Sequence, residues 1–117
     1  MILVTWHPEN FAIGQDVWTG CGVAESLPGG SAHRELCQRL DQIADNLGNL
    51  VDHSGASIPI IFHAWQQPNA DHFWWGRSRC TPEEYQRLFR FTVSYLRDIR
   101  RVRNFLYCFA SSRTGEP

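Results

Sequence analysis

Ile58-Pro59-Ile60-Ile61-Phe62, followed after His63-Ala64 by Trp65 to Gly76, W-Q-Q-P-N-A-D-H-F-W-W-G, is the stretch on which the fold turns. The first part is a near-continuous apolar run rather than an alternating one. Such runs mark strands covered on both faces, as in a parallel sheet. A strand is therefore expected over 58–63. The second part is a loop that carries three tryptophans, a phenylalanine and several amides.

Two similar runs flank this one. Residues 2–6, I-L-V-T-W, predict a first strand that ends at Trp6-His7. Residues 104–110, N-F-L-Y-C-F-A, predict a third. Between the first two strands, Leu27-Pro28-Gly29-Gly30-Ser31 reads as a turn leading to an N-cap at Ser31. Leu36, Leu40, Ile43, Ala44, Leu47, Leu50 and Val51 then recur at helical spacing, and Asp52-His53-Ser54-Gly55 ends that helix. After the tryptophan loop, Thr81-Pro82-Glu83-Glu84 is a helix start. Thr81 is the N-cap, Pro82 stands at the first helical position, and Glu84 is placed to close a capping box. Tyr85, Leu88, Phe89, Thr92, Leu96 and Ile99 form the expected buried stripe. Residues 111–117 read as loop or tail.

The order strand, helix, strand, helix, strand predicts an α/β fold with parallel strands. In such folds the functional site lies at the C-terminal ends of the strands. His7, the Gln66-Gln67 pair and Ser111-Ser112 should then face one mouth.

The chain has 117 residues, enough for one modest core. A net charge of -1 leaves no basic footprint for nucleic acid. All eleven basic residues are Arg, which carries no mechanism of its own. Every apolar segment falls short of the roughly 20 residues of a membrane span, so no membrane partner is expected. Met1-Ile2-Leu3-Val4 enters a strand without the basic start or cleavage site of a signal peptide. Cys21, Cys37, Cys80 and Cys108 form no C-x-x-C pair, which argues against structural zinc; they are either buried thiols or one or two disulfides. His7, His63 and His72 match no metal-ligand spacing. Neither a metal nor another cofactor is implied.

Aromatic faces beside hydrogen-bonding side chains suit a sugar ring, which has an apolar face and hydroxyl edges. Trp74 and Trp75 either stack on a sugar or pack the loop. Trp65 is a subsite wall or a core residue, and His7 is a ligand contact or a strand-end histidine bonded to backbone. Asp71 is the only carboxylate of the stretch, and a turn or capping role suits it.

These residues resemble glycoside hydrolase family 26, the β-mannanase family of (β/α)8 barrels. I-P-I-I-F, Asn69, F-W-W-G, C-T-P-E-E-Y, Y-L-R-D and N-F-L-Y occur in the family's order and spacing. Val4-Thr5-Trp6-His7 and L-P-G-G-S look like its preceding strand and loop. The resemblance implies a fragment of a (β/α)8 TIM barrel, about strands three to five with two intervening helices, so that residues 1–117 are part of a catalytic domain. It implies hydrolysis of internal β-1,4 bonds in mannans by the parent barrel, and a β-mannan or related β-glycan as partner. It also implies substrate contacts at His7, Trp65, Gln66, Gln67, Asn69, Trp74 and Trp75, and an extracellular or periplasmic setting.

The departures from the pattern are specific. The family's His-Glu pair falls on Gln66-Gln67, and that glutamate is its general acid/base. The family's Arg falls on His63, its Gly after Asn69 on Ala70, and its Trp before Phe73 on His72. Its nucleophile glutamate lies on a later strand, past these residues. A retaining glycosidase needs two carboxyl groups roughly 5 to 5.5 Å apart. An amide at position 67 can hydrogen-bond a glycosidic oxygen but cannot deliver a proton to it. No intact catalytic residue is therefore expected. The chain alone should be inactive, as an inert barrel fragment, a mannan-binding pseudoenzyme or a decayed remnant. Three strands of an eight-stranded barrel would also leave open sheet edges, through which copies could associate.

Overall fold

A computed structural model describes residues 2–11, 22–65, 74–76 and 80–108. Strand β1 is Ile2–Trp6, β2 is Ile60–Ala64 and β3 is Phe105–Cys108. They form one sheet in the order β1-β2-β3. All pairings are parallel, with Ile2 opposite Ile60 and Ile60 opposite Phe105. Parallel neighbours need a crossover, and each crossover holds a helix. The first contains α1 (Val23–Ser26) and α2 (His33–Leu47); the second contains α3 (Pro82–Ser94), continued by a π-helical turn over Tyr95–Ile99.

The expected strands are present, with β2 shifted to start at Ile60 and β3 described to Cys108; residues 109–117 lie outside the described set. The start of α3 is as its sequence predicts. The Thr81 hydroxyl accepts from the Glu84 amide at 3.0 Å, and the Glu84 carboxylate accepts from the Thr81 amide at 2.8 Å. Three expectations are corrected. Helix α2 is capped at Ala32, not Ser31, because the chain turns tightly just before it. Gly29 takes a positive φ of 91°, and a Cβ on Gly30 would meet the Glu25 carbonyl oxygen at 2.1 Å. The same helix ends at Leu47, so Leu50 and Val51 leave its stripe, and Val51 instead bridges Ser57. Ile99, expected to be buried, is 66% exposed. The π-turn, closed by Arg100 N–H to the Tyr95 carbonyl at 2.9 Å, is wider than an α-turn and carries Ile99 off the buried face.

The side chains of β2 alternate between two environments. Ile60, Phe62 and Ala64 are buried with Leu36 and Leu40 of α2, Leu88 of α3 and Leu96 of the π-turn. The opposite face of the sheet carries Leu3, Thr5, Ile61, His63, Leu106 and Cys108 in register across the strands. Leu3 is 64% and Leu106 is 56% exposed there. The continuous apolar runs predicted cover on both faces; among the described residues only one face has it.

At the N-terminal ends of the strands two asparagines join the elements. The buried Asn104 side chain accepts from the Asn49 amide at 2.6 Å and donates to the carbonyls of Leu47 at 3.2 Å and Ile58 at 2.9 Å. Asn49 sits at φ 57°, a conformation that asparagine tolerates better than most residues. Its side chain returns bonds to Arg101 O at 3.0 Å and from Arg103 N at 2.8 Å.

Candidate functional site at the strand C-termini

Because the strands are parallel, their C-terminal ends at Trp6, Ala64 and Cys108 lie on one edge of the sheet. His7 follows β1 directly and is exposed. Trp65 follows β2 with φ 52°, a left-handed conformation that is rare for a bulky side chain. Its surroundings hold it there. The Tyr85 hydroxyl donates to the Trp65 carbonyl, and the Trp65 indole N–H donates to Thr92 Oγ1 at 2.9 Å. Thr92 in turn donates to the Leu88 carbonyl at 2.9 Å, so every polar group in this buried chain is matched.

Trp65, Trp74 and Trp75 have no exposed surface. Ring centroids lie 5.7 Å apart for Trp65–Trp74, 5.1 Å for Trp65–Trp75 and 5.6 Å for Trp74–Trp75, all edge to face. Trp6 meets Trp65 at 5.0 Å and Phe11 meets Trp74 at 5.4 Å. The Trp74 N–H donates to the Pro8 carbonyl at 3.1 Å, tying this cluster to the segment after β1. Of the two roles open to Trp65, its burial places it in the core cluster. Trp74 and Trp75 likewise present no ring face to solvent in this conformation. Composition and spacing could not separate these roles, since packing and stacking both call for tryptophan.

His7 stacks on Trp75 with centroids 6.5 Å apart and planes 14° apart. His63, Thr5 and Cys108 form one row on the uncovered face. The His63 Nε2 atom is buried and has no hydrogen-bond partner. Burial, and then the neighbouring His7, push the His63 pKa below its usual value. The structure thus brings His7, His63 and the tryptophan cluster to one edge. Gln66, Gln67 and Asn69, and with them Ala70, Asp71, His72 and Phe73, lie outside the described residues, as do Ser111 and Ser112.

Cys37 and Cys108 are free thiols, and the Cys80 sulfhydryl donates to the Trp75 carbonyl at 3.4 Å. Cys21 lies outside the described residues. His33 Nδ1 donates to the Ser26 carbonyl at 2.9 Å, leaving Nε2 to accept from the Cys37 thiol at 3.5 Å; burial, with Asp41 nearby, raises the pKa of that thiol. Among the described residues no group of three or more His, Cys, Asp or Glu is placed to hold a metal, and no helix is long and apolar enough to cross a membrane.

The sequence model of glycosyl hydrolase family 26 matches residues 7–116. The catalytic domain of an endo-β-1,4-mannanase from Bacillus sp. JAMB-750 superposes with a TM-score of 0.90 at 42% identity, over 95% of this chain and 29% of that one. A modular endo-β-1,4-mannanase from Cellulomonas fimi superposes with a TM-score of 0.86 at 43% identity, over 92% of this chain and 24% of that one. A mannan endo-1,4-β-mannosidase from Bifidobacterium adolescentis is 35% identical over 111 residues, which are 94% of this chain and 11% of that protein. The three parallel strands and their helices are thus an arc of a (β/α)8 barrel. The chain spans less than a third of each of these relatives, and it belongs to glycosyl hydrolase family 26.

Proposed function

We propose that residues 1–117 are part of a family 26 catalytic domain and contribute one wall of a β-1,4-mannan cleft, without supplying the proton transfer that cleaves the chain. The observation that carries this is the match of residues 7–116 to the family with glutamine at position 67. The similar barrels are described as mannanases, which supports mannan as the ligand class. Cleavage with retention would need a proton donor at the glycosidic oxygen and a second carboxylate as nucleophile. The Gln67 amide holds no acidic proton near neutral pH. It can donate N–H or accept through its carbonyl oxygen, so its contribution is orientation of the bound sugar.

His7, Gln66, Gln67 and Asn69 are the proposed polar contacts. Trp65, Trp74 and Trp75 support the site by packing beneath it, and any stacking on sugar would require the loop to open. The exposed His7 ring is seated on Trp75 beside the mouth.

Affinity electrophoresis in galactomannan gels, with a reducing-sugar assay on the same preparation, tests this function. Retarded migration without release of reducing ends is the expected result, and His7→Ala with Gln67→Ala should remove the retardation. Gln67→Glu should leave the chain inactive, because a proton donor alone provides no nucleophile. Migration unaffected by galactomannan would exclude mannan binding by this chain. Release of reducing ends by the unaltered chain, surviving Asp71→Asn, would overturn the assignment of Gln67.

A further inference from the structure

We propose that His33 and Cys37 form a two-ligand site for a zinc-class divalent cation on the first turns of α2. The two residues stand one helical turn apart, so their side chains share a face. Cys37 Sγ lies 3.5 Å from His33 Nε2. A tetrahedral zinc ion held by one thiolate at about 2.3 Å and one imidazole at about 2.0–2.1 Å sets those two atoms about 3.5 Å apart. The pair therefore already stands at the required separation. Cysteine spacing alone does not reveal it, because the partner is a histidine.

The ring is prepared for this role. A carbonyl only accepts, so the 2.9 Å bond to Ser26 O puts the His33 proton on Nδ1 and leaves the Nε2 lone pair for a ligand. Metal-bound histidines almost always make such a bond through their other nitrogen, which fixes the tautomer and raises the basicity of the ligating atom. Phe91 meets the imidazole edge to face at 4.7 Å and holds its plane. The thiol now bonded to Nε2 is a weak donor, so an ion displaces it at small cost. On binding, the thiol proton passes to solvent. The thiolate and the imidazole nitrogen each donate an electron pair to the cation, whose oxidation state is unchanged.

His33 and Cys37 are both partly exposed. Among the described residues no third His, Cys, Asp or Glu completes a group around an ion. Asp41, one turn beyond Cys37, has its carboxylate engaged by the Tyr95 hydroxyl and the Arg100 guanidinium, each at 2.8 Å. Solvent thus supplies the remaining positions. Sulfur and nitrogen donors select a borderline-soft cation over magnesium or calcium. The ion also has a structural effect. Helix α2 starts at Ala32 without a side-chain capping bond, unlike α3, and ligation across its first turn would pin that start. None of the residues proposed to contact mannan takes part, so this site and mannan binding fail separately.

Cobalt(II) titration of the reduced, full chain, read by thiolate-to-metal absorption and followed by zinc competition, tests the site. Half the free energy of a four-ligand zinc site corresponds to a zinc dissociation constant of about 1–200 µM. The expected result is one equivalent of cobalt with a thiolate band that zinc removes and magnesium does not. Cys37→Ser should abolish the band, and His33→Gln should weaken binding at least about tenfold, with far-ultraviolet circular dichroism confirming that both variants keep their helices. Zinc at about ten times its dissociation constant should raise the melting temperature by at least about 3 °C. In the unaltered chain, zinc should slow alkylation of Cys37, located by peptide mapping, at least about fivefold; this readout needs no variant to fold. No thiolate band, a band that persists in Cys37→Ser, binding indifferent to His33→Gln, an unmoved melting temperature or an unchanged rate of Cys37 alkylation would each overturn the proposal.

Discussion

The two ends of the sheet are built from opposite materials. At the N-terminal end, two asparagine side chains connect α2, β2 and β3 through five hydrogen bonds. At the C-terminal end, four tryptophans pack edge to face with one another. The amide end satisfies backbone groups that would otherwise be stranded where helices return to strands. The indole end gains from buried area and needs partners for only a few N–H groups. In (β/α)8 barrels the N-terminal end serves stability and the C-terminal end carries chemistry. Here the C-terminal end also holds the strained backbone at Trp65, locked from two sides by α3. Rigid packing at that end therefore holds the left-handed backbone of Trp65 in place.

The contrast can be broken most forcefully at Trp65. Trp65→Ala should cost about 3–5 kcal/mol, a large share of the roughly 5–15 kcal/mol that holds a typical domain, and urea titration followed by near-ultraviolet circular dichroism measures it. A loss below about 1 kcal/mol would mean that the indole cluster is not what holds that end. Asn104→Ala should cost about 1–3 kcal/mol, since it strands the Asn49 amide and removes a donor from two carbonyls. Equal urea midpoints for this variant and the parent would remove the amide end from the comparison. Thr81→Ala, which breaks the capping box at the start of α3, should cost about 1 kcal/mol, and Thr81→Ser should restore most of it.

The smallest effect is expected at His63. Its folded pKa lies below the usual value of 6.5 because of burial and then His7. As pH falls below 6.5 the unfolded chain takes up a proton before the folded one does. The contribution is thus complete above that pH and is lost as pH falls through the folded value. Urea midpoints at pH 7 and pH 5 should show a larger acid-induced fall for the parent than for His63→Gln. Identical falls would show that the ring is solvated equally in both states.

The sequence disclosed these regions unevenly, for physical reasons. The strands and the start of α3 were legible because their signals are local: an unbroken apolar run, and Thr81, Pro82 and Glu84 at fixed spacing. The amide end was not, because Asn49 and Asn104 lie 55 residues apart and nothing local marks them as partners. Val102, buried beneath Gly48, was missed for the same reason. Ile99 misled because the helical period holds only while the turns stay α, and the π-turn breaks it. At the site, Gln67 lies outside the described residues, and the burial of Trp65, Trp74 and Trp75 depends on contacts with Thr92, Pro8 and Phe11 that only the fold brings near.

The indole cluster has an optical consequence. Rings about 5 to 6 Å apart at steep mutual angles couple electronically, and fixed chiral packing of aromatic rings is what produces near-ultraviolet circular dichroism. Trp6, Trp65, Trp74 and Trp75 form a built-in chromophore at the mouth of the sheet. Its signal should vanish when the loop detaches, even while the helices remain, so the chain reports the state of its own site without a label.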